Sequence, residues 1–366
     1  MNKTSKVVVA MYSTAESWRG AGISFVNIAR GLERHGIEVR MIATMDEVAR
    51  EFVLAGLSVC RLPSDDFEAL RLRRKLSDIR ADLVVVDRAH DLRVATRAVV
   101  GTRVGIINRY NLFRAKVPAD LMTRVAYRDF VKEIIFLSDV QRTRVLAAAP
   151  FMGSTPATTI HEGINADSFR PDTAAAEAFR RTYKIVGAFL LAVGALTAEK
   201  RYDFMLESLS LLGDEAPPLI ICGEGVEEEK IRQHASSLRL DVRMLGRIPR
   251  EHLSGACNAS AGLVHAGCVE TFGLSVLEAM ACGSAIVACN GGALPEVVGT
   301  DGGAGTLVDA DSREDMANAI RCLFTEPGQA LAMGARARER ALRFALGKME
   351  KAYADVVHRH TRGGSV

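Results

Sequence analysis

The chain has 366 residues, 48% of them hydrophobic and 25% charged, with a formal net charge of +3. That length exceeds one ordinary core and fits two domains, and the composition excludes wholesale disorder. The small charge gives no ground for a nucleic-acid partner, and the apolar runs are strand-sized, too short to span a membrane.

Short apolar runs alternate with amphipathic stretches from end to end, the pattern of parallel sheets covered by helices on both faces. In the first half, strands are predicted over residues 6–12, 38–43, 57–62, 82–87, 103–108, 133–137 and 157–160, with helices at 22–35 and 66–80 among those between them. In the second half, strands are predicted over 189–193, 219–222, 242–245, 262–265, 285–288 and 305–308, with helices at 201–212, 227–238, 274–281 and 313–324. A seam falls near residues 165–183, and the tail over 328–360 has no strand signal and suits two helices. The fold class is α/β, with two Rossmann-like domains on either side of a cleft, and ligands are expected at the carboxyl ends of the strands. The chain begins on a short polar stretch without the apolar run of a signal peptide, and its seven cysteines include no C-x-x-C pair. The expectation is a cytoplasmic protein with buried thiols, with peripheral contact at the inner face of the membrane left open.

Several strand ends carry chemistry. After the first strand, W-R-G-A-G-I-S places Gly20 and Gly22 at a helix start, where a backbone can approach a ligand closely. It is not a dinucleotide fingerprint, because Phe25 stands where a third glycine is needed, and a tight strand-to-helix turn explains it equally. L-L-A-V-G-A-L-T-A-E-K-R-Y-D opens the second half: a strand ending at Gly194, then Lys200 and Arg201 at a helix start, where a lysine can neutralise a departing diphosphate. I-I-C-G-E-G, with Gly223, and M-L-G-R-I-P, with Arg247 and Ile248, are further strand-then-glycine turns that pass as loops on their own.

The most informative stretch is C-V-E-T-F-G-L-S-V-L-E-A-M-A-C-G, in which Glu270 and Glu278 stand eight residues apart around a helix opening. Free N–H groups and the positive dipole end at such an opening favour a phosphate, and the flanking acids suit the hydroxyls of a nucleotide-linked substrate. A surface acid followed by a helical glutamate is the plain alternative.

With the later G-G-A-L-P-E-V-V, these segments resemble, in order and register over roughly residues 188–310, the retaining GT-B glycosyltransferases of family 4, the glycogen-synthase and sucrose-synthase type. The resemblance implies a GT-B architecture: an acceptor-binding domain at 1–170, a nucleotide-sugar domain at 171–345, and a terminal helix within 346–366 that packs back on the first domain. It implies that Lys200 meets the diphosphate, Glu278 the ribose hydroxyls and Glu270 the donor sugar. The backbone of Phe272, Gly273 and Leu274 would hold sugar and phosphate, and Gly20, Gly22, Gly194, Gly223 and Ile248 would line the donor site. The chain departs from the family at Ala195, where an arginine is usual, so Arg201 or Arg247 is expected to substitute. It departs again at Arg201, Thr271 and Gly267, and Glu162 replaces an asparagine in H-E-G-I-N-A-D-S-F-R-P. Where the family often places a histidine on the donor sugar, this chain has Arg109 and Tyr110, and His90 in D-R-A-H-D is a second candidate.

Two signals are set aside. Asp309-Ala310-Asp311 spells a metal-binding D-x-D but precedes a helix, where Asp311 or Ser312 can serve as N-cap; no metal is expected. The basic run over 71–75 suits a solvated helix face; with Arg109, Arg114, Lys116 and Arg124 it could instead meet anionic lipid or a phosphorylated acceptor. The expected function is therefore transfer of a sugar from a UDP- or GDP-sugar, with retention and without metal or other cofactor, to a carbohydrate, lipid-linked or small-molecule acceptor. The alternatives are a sugar-nucleotide epimerase or hydrolase on the same fold, and a catalytically silent sugar- or nucleotide-binding subunit.

Overall fold

The first strand, β1 (Val8–Ser13), is buried along its whole length. Val9 and Met11 enter one core with Phe25, Ile28 and Leu32 of the helix Gly20–Arg34, while Ala10 and Tyr12 enter another with Leu72, Val84 and Val86. A strand covered on both faces belongs in the middle of a parallel sheet. The computed structural model, which describes residues 6–16, 18, 20–113 and 119–361, has this arrangement twice.

One unit takes the chain up to Gly163 and again from Leu346 onward; the other is Ile164–Ala345. In the first, β1, β2 (Glu38–Ala43), β3 (Val59–Arg61), β4 (Leu83–Val86), β5 (Gly105–Tyr110), β6 (Val131–Phe136) and β7 (Ala157–Thr159) form a sheet in the order β3-β2-β1-β4-β5-β6-β7. In the second, β8 (Leu190–Val193), β9 (Leu219–Cys222), β10 (Val242–Met244), β11 (Gly262–His265), β12 (Ile286–Cys289) and β13 (Thr306–Val308) follow the order β10-β9-β8-β11-β12-β13. Neighbouring strands are parallel throughout. Every strand lies within two residues of its predicted bounds, because runs such as L-V-V-V and L-I-I-C are too short for a helix and too apolar for a loop.

Each sheet reverses its strand order once, between β1 and β4 in the first unit and between β8 and β11 in the second. Loops leaving the strands at such a point diverge to opposite faces and open a crevice at the carboxyl ends. In the first unit Thr14, after β1, is tied across this point to Asp91, after β4: the Thr14 backbone N–H donates to Asp91 Oδ1 at 3.2 Å, and its hydroxyl donates to the same oxygen.

The helix Leu346–Thr361 belongs to the first unit, where Met349, Tyr353, Val356 and Val357 join the core under β1. It lies close to the helix Gly20–Arg34 because Gly31 has no side chain: a Cβ there would sit 2.4 Å from Glu350 Cγ. Glu350 pairs with Arg34, and buried Glu133 receives Arg359 at 2.7 Å and His360 at 2.8 Å. In the second unit, the helix Thr173–Tyr183 packs against Arg250–Ala259 through Gly255, where a Cβ would meet the Ala175 carbonyl at 2.7 Å.

Candidate active site

Lys200 and Glu270 come from the two loops that diverge at the switch point of the second sheet, Lys200 after β8 and Glu270 after β11. Lys200 Nζ donates to Glu270 Oε1. His265, the last residue of β11, brings Nε2 to 2.9 Å from the same oxygen, off the line that a good hydrogen bond requires. Burial works to raise the Glu270 carboxyl; His265 and Lys200 more than offset it and hold it well below the usual carboxylate range. Glu270 is therefore an anion in a largely enclosed site, with a lysine only partly covered beside it.

Glycines set how closely the loops approach. A Cβ on Gly223 would lie 1.8 Å from the Gly194 carbonyl oxygen. The strand-end loops are zipped together at that distance: Gly194 N–H donates to the Cys222 carbonyl at 3.1 Å, and Gly223 N–H to that of Gly246 at 2.9 Å. A Cβ on Gly194 would lie 3.6 Å from Lys200 Cε, so the lysine crosses directly over this backbone. Gly292, at φ 56°, abuts the Glu270 backbone, and Ala293 N–H donates to the Glu270 carbonyl at 2.9 Å. Gly291 and Gly292 thus fix the acidic loop from behind. A side chain at Gly267, where the family commonly has serine, would start 3.0 Å from His265 Nε2.

The helix Leu274–Cys282 opens directly after this loop. Gly273 takes the left-handed conformation at φ 94°, no side chain caps the helix, and Phe272 is buried beneath with its ring 5.5 Å from Phe344. The first N–H groups of the helix, uncapped by side chains, are the elements of an anion site. Glu278 lies one turn in, 4% exposed, and pairs with Arg250 from the start of another helix. Arg250 stacks on Phe169, its Cζ 4.9 Å from the ring centre.

Other expected donor-site residues are placed differently. Arg201 turns its guanidinium away from the Lys200–Glu270 pair: Nη1 lies 2.7 Å from the Ala310 carbonyl and 2.8 Å from Cys268 Sγ, and the group stacks over Phe204. Arg247 is exposed and Ile248 partly buried on the loop after β10. In the discounted D-x-D, Ser312 is the N-cap, accepting from Asp315 N–H at 3.1 Å.

In the first unit, Arg109 requires a correction. Its side chain is 1% exposed and held between Asp87, at 2.6 Å, and Glu162, so it neither reaches a ligand nor belongs to a surface patch. Arg109 and Glu162, two of the chain's departures from the family pattern, are one ion pair. Of the other residues in the basic patch, Arg114 and Lys116 lie outside the described residues, Arg73 binds the Val100 carbonyl at 2.5 Å, and Arg124 stacks on Phe151. His90 is exposed, its Nε2 3.2 Å from Glu68. Gly20 opens its helix with nothing near its missing Cβ, whereas a Cβ on Gly22 would lie 2.7 Å from the Trp18 ring.

A small pocket lies at the carboxyl ends of β4 and β5. Leu92, Leu112, Met122 and Tyr127 give it apolar walls, Asn108 and Asn111 polar points, and Arg88 and Arg93 positive charge. Sequence reasoning missed this pocket, along with His265 and Arg250. His265 carried a faint signal, a polar residue closing an apolar strand; Arg250 carried none, since it meets Glu278 only through the fold.

Comparison with known proteins places these features. The whole fold matches a glycosyltransferase from Rickettsia africae ESF-5, with a TM-score of 0.86 at 16% identity over 98% of this chain and 100% of that one. It likewise matches Anabaena HepE in complex with UDP-glucose, with a TM-score of 0.84 at 17% identity over 96% and 99%. The fold is GT-B: two Rossmann-like units with parallel sheets of seven and six strands. Residues 178–340, which hold the Lys200–Glu270 site, match the model of the family described as Glycosyl transferases group 1. Among relatives, a D-inositol 3-phosphate glycosyltransferase of Streptomyces bingchenggensis is 32% identical over 56% of this chain and 48% of its own length. A GDP-mannose-dependent alpha-(1-6)-phosphatidylinositol dimannoside mannosyltransferase of Mycobacterium tuberculosis is 32% identical over 48% of this chain and 46% of its own. The chain spans about half the length of these relatives. Among the described residues, no helix is long and apolar enough to cross a membrane.

Proposed function

We propose that the chain is a glycosyltransferase that moves a sugar from a UDP- or GDP-sugar to a hydroxyl acceptor, with retention at the anomeric carbon and no resident cofactor. The observation that carries this reading is the meeting of Lys200 and Glu270 at the switch point of the second sheet, beside an uncapped helix opening. The donor diphosphate lies at the start of Leu274–Cys282, and Lys200 turns from Glu270 to the phosphate. Negative charge on the departing nucleotide then develops against a cation and oriented N–H groups that need little rearrangement. Glu270, ionised and fixed from behind by Gly292, accepts from the hydroxyls of the donor sugar. Glu278 accepts from the ribose hydroxyls, and Arg250, its partner in this structure, turns toward the nucleotide. Retention follows from attack on the face the nucleotide leaves, the departing phosphate taking the acceptor proton.

The pocket of the first unit is the candidate acceptor site, and its mixed lining suits an alcohol that carries an apolar part and a negative charge. The relatives are named for GDP-mannose, inositol phosphate and phosphatidylinositol mannosides, so GDP-mannose with inositol phosphates and phosphatidylinositol glycosides is the first combination to assay. The test is incubation with radiolabelled UDP- and GDP-sugars and these acceptors, following label transfer and the configuration of the new bond. A labelled product of retained configuration is expected. Release of free sugar at the same rate with and without every acceptor contradicts transfer.

A further inference from the structure

The loop that carries Glu270 also carries a sulfur pair that this mechanism does not use. Cys268 lies two residues ahead of Glu270, and Cys289 ends β12. His265 pairs with Ala288 across β11 and β12, so the segments holding the two cysteines leave adjacent strands side by side. A Cβ on Gly291 would lie 2.8 Å from Cys268 Cβ, so the glycine lets them close up. Cys268 packs against the core cluster that contains Cys289, and its sulfur faces Arg201 Nη1 at 2.8 Å. Cys268 is partly exposed; Cys289 is buried.

We propose that Cys268 and Cys289 form a peroxide-sensitive thiol pair, Cys268 attacking and Cys289 resolving, whose disulfide disables the adjoining donor site. The effect on transfer rests on the function proposed above; the sulfur chemistry does not. In the first step the Cys268 thiolate attacks one oxygen of a peroxide, the O–O bond breaks, hydroxide or alkoxide leaves, and Cys268 becomes a sulfenic acid. In the second, the Cys289 sulfur attacks Cys268 Sγ, the S–O bond breaks, and the hydroxide leaves as water with the Cys289 proton. Two thiols lose two electrons and the peroxide gains them.

The surroundings suit these roles. Cys289 and Arg201 favour the thiolate at Cys268, against burial and the Asp311 carboxylate, and bring it down to about 6. Cys289 is pushed far up by its contact with Cys268 and by burial, with Asp309 adding to the effect, so it keeps its proton until the sulfenic acid forms. The disulfide would break the Arg201–Cys268 contact and draw in a loop whose position at Glu270 is set by Gly291 and Gly292.

The test uses the chain with Cys60→Ser and Cys322→Ser, which removes the other thiols that reach solvent. After hydrogen peroxide and alkylation of the remaining thiols, peptide mass spectrometry should find Cys268 linked to Cys289, reversed by dithiothreitol. Adding Cys289→Ser should leave a sulfenic acid at Cys268 that dimedone traps. Alkylation of Cys268 by iodoacetamide should plateau above about pH 6, and Arg201→Ala should move that inflection upward. Recovery of both cysteines as free thiols after peroxide, or dimedone labelling elsewhere but not at Cys268, overturns the proposal. A linked peptide in a protein that transfers no sugar upholds the thiol pair and counts against the transferase reading. Full transfer activity in the linked form overturns the coupling between them.

Discussion

His265 Nε2 lies 2.9 Å from Glu270 Oε1, the same oxygen that accepts from Lys200. One carboxylate oxygen thus stands between a strand-end imidazole and a lysine delivered by the neighbouring strand's loop. Glu270 holds the lysine at the place where the diphosphate is proposed to arrive. Replacing His265 by alanine removes one favourable partner of the Glu270 anion and leaves its burial in force, so the carboxyl should titrate at higher pH. Transfer by His265→Ala should consequently fall off on the acid side at higher pH than in wild type. An unchanged acid limb of kcat/KM would show that His265 does not tune the carboxylate.

Gly223→Ala should destabilise the second unit by more than about 2 kcal/mol, because its Cβ would meet a backbone carbonyl that cannot move without opening two loops. Gly20→Ala is the matched control: nothing lies within 4 Å of its Cβ position, and its stability should stay within about 1 kcal/mol of wild type. Denaturant midpoints for the two variants check this, and equal losses would contradict it.

Arg109→Leu should cost about 3–5 kcal/mol by leaving Asp87 and Glu162 buried without their cation. Adding Glu162→Gln removes one of the stranded charges, and Asp87 still accepts from Asn111 at 3.2 Å. The double variant should therefore recover a large part of the loss. A double variant no more stable than Arg109→Leu alone would mean the two residues are not coupled.

The same fold was largely legible in the sequence, and the reasons are local. Strand runs and glycine turns are set by neighbours in the chain, so β9 and β11 lie at their predicted bounds. The helix at Leu274 could be placed because a glycine opens it and Gly283, at φ 80°, closes it. Arg109 was misread because an arginine at a strand end looks available until Glu162, far along the chain, turns out to face it. Arg201 follows a lysine that points into the site, yet its left-handed backbone at φ 53° sends its guanidinium to Ala310 and Cys268. Both concern long side chains, whose direction is decided by distant partners rather than by spacing.

Asp91 makes a prediction about pH. It is fully buried, and its carboxyl is pushed up to about 6, chiefly by burial and against the hydrogen bond from Thr14. A group raised above its unfolded value contributes stability that is fully present below the unfolded value, near 3.8, and is lost as pH rises through the folded one. Wild type should therefore gain on Asp91→Asn by up to about 3 kcal/mol as the pH falls from about 7 to about 4. Melting temperatures of both proteins across that range check the sign, and a constant difference would contradict it.

The account turns on Lys200 and Glu270 acting on the donor. The most direct measurement is sugar transfer by Lys200→Met and Glu270→Gln, with UDP and GDP affinity followed in parallel by calorimetry. Each variant should lose about 10²–10³ in kcat while nucleotide still binds within about tenfold of wild type, as expected when charge stabilisation is removed at the departing group. Transfer at the wild-type rate by either variant would contradict the assignment.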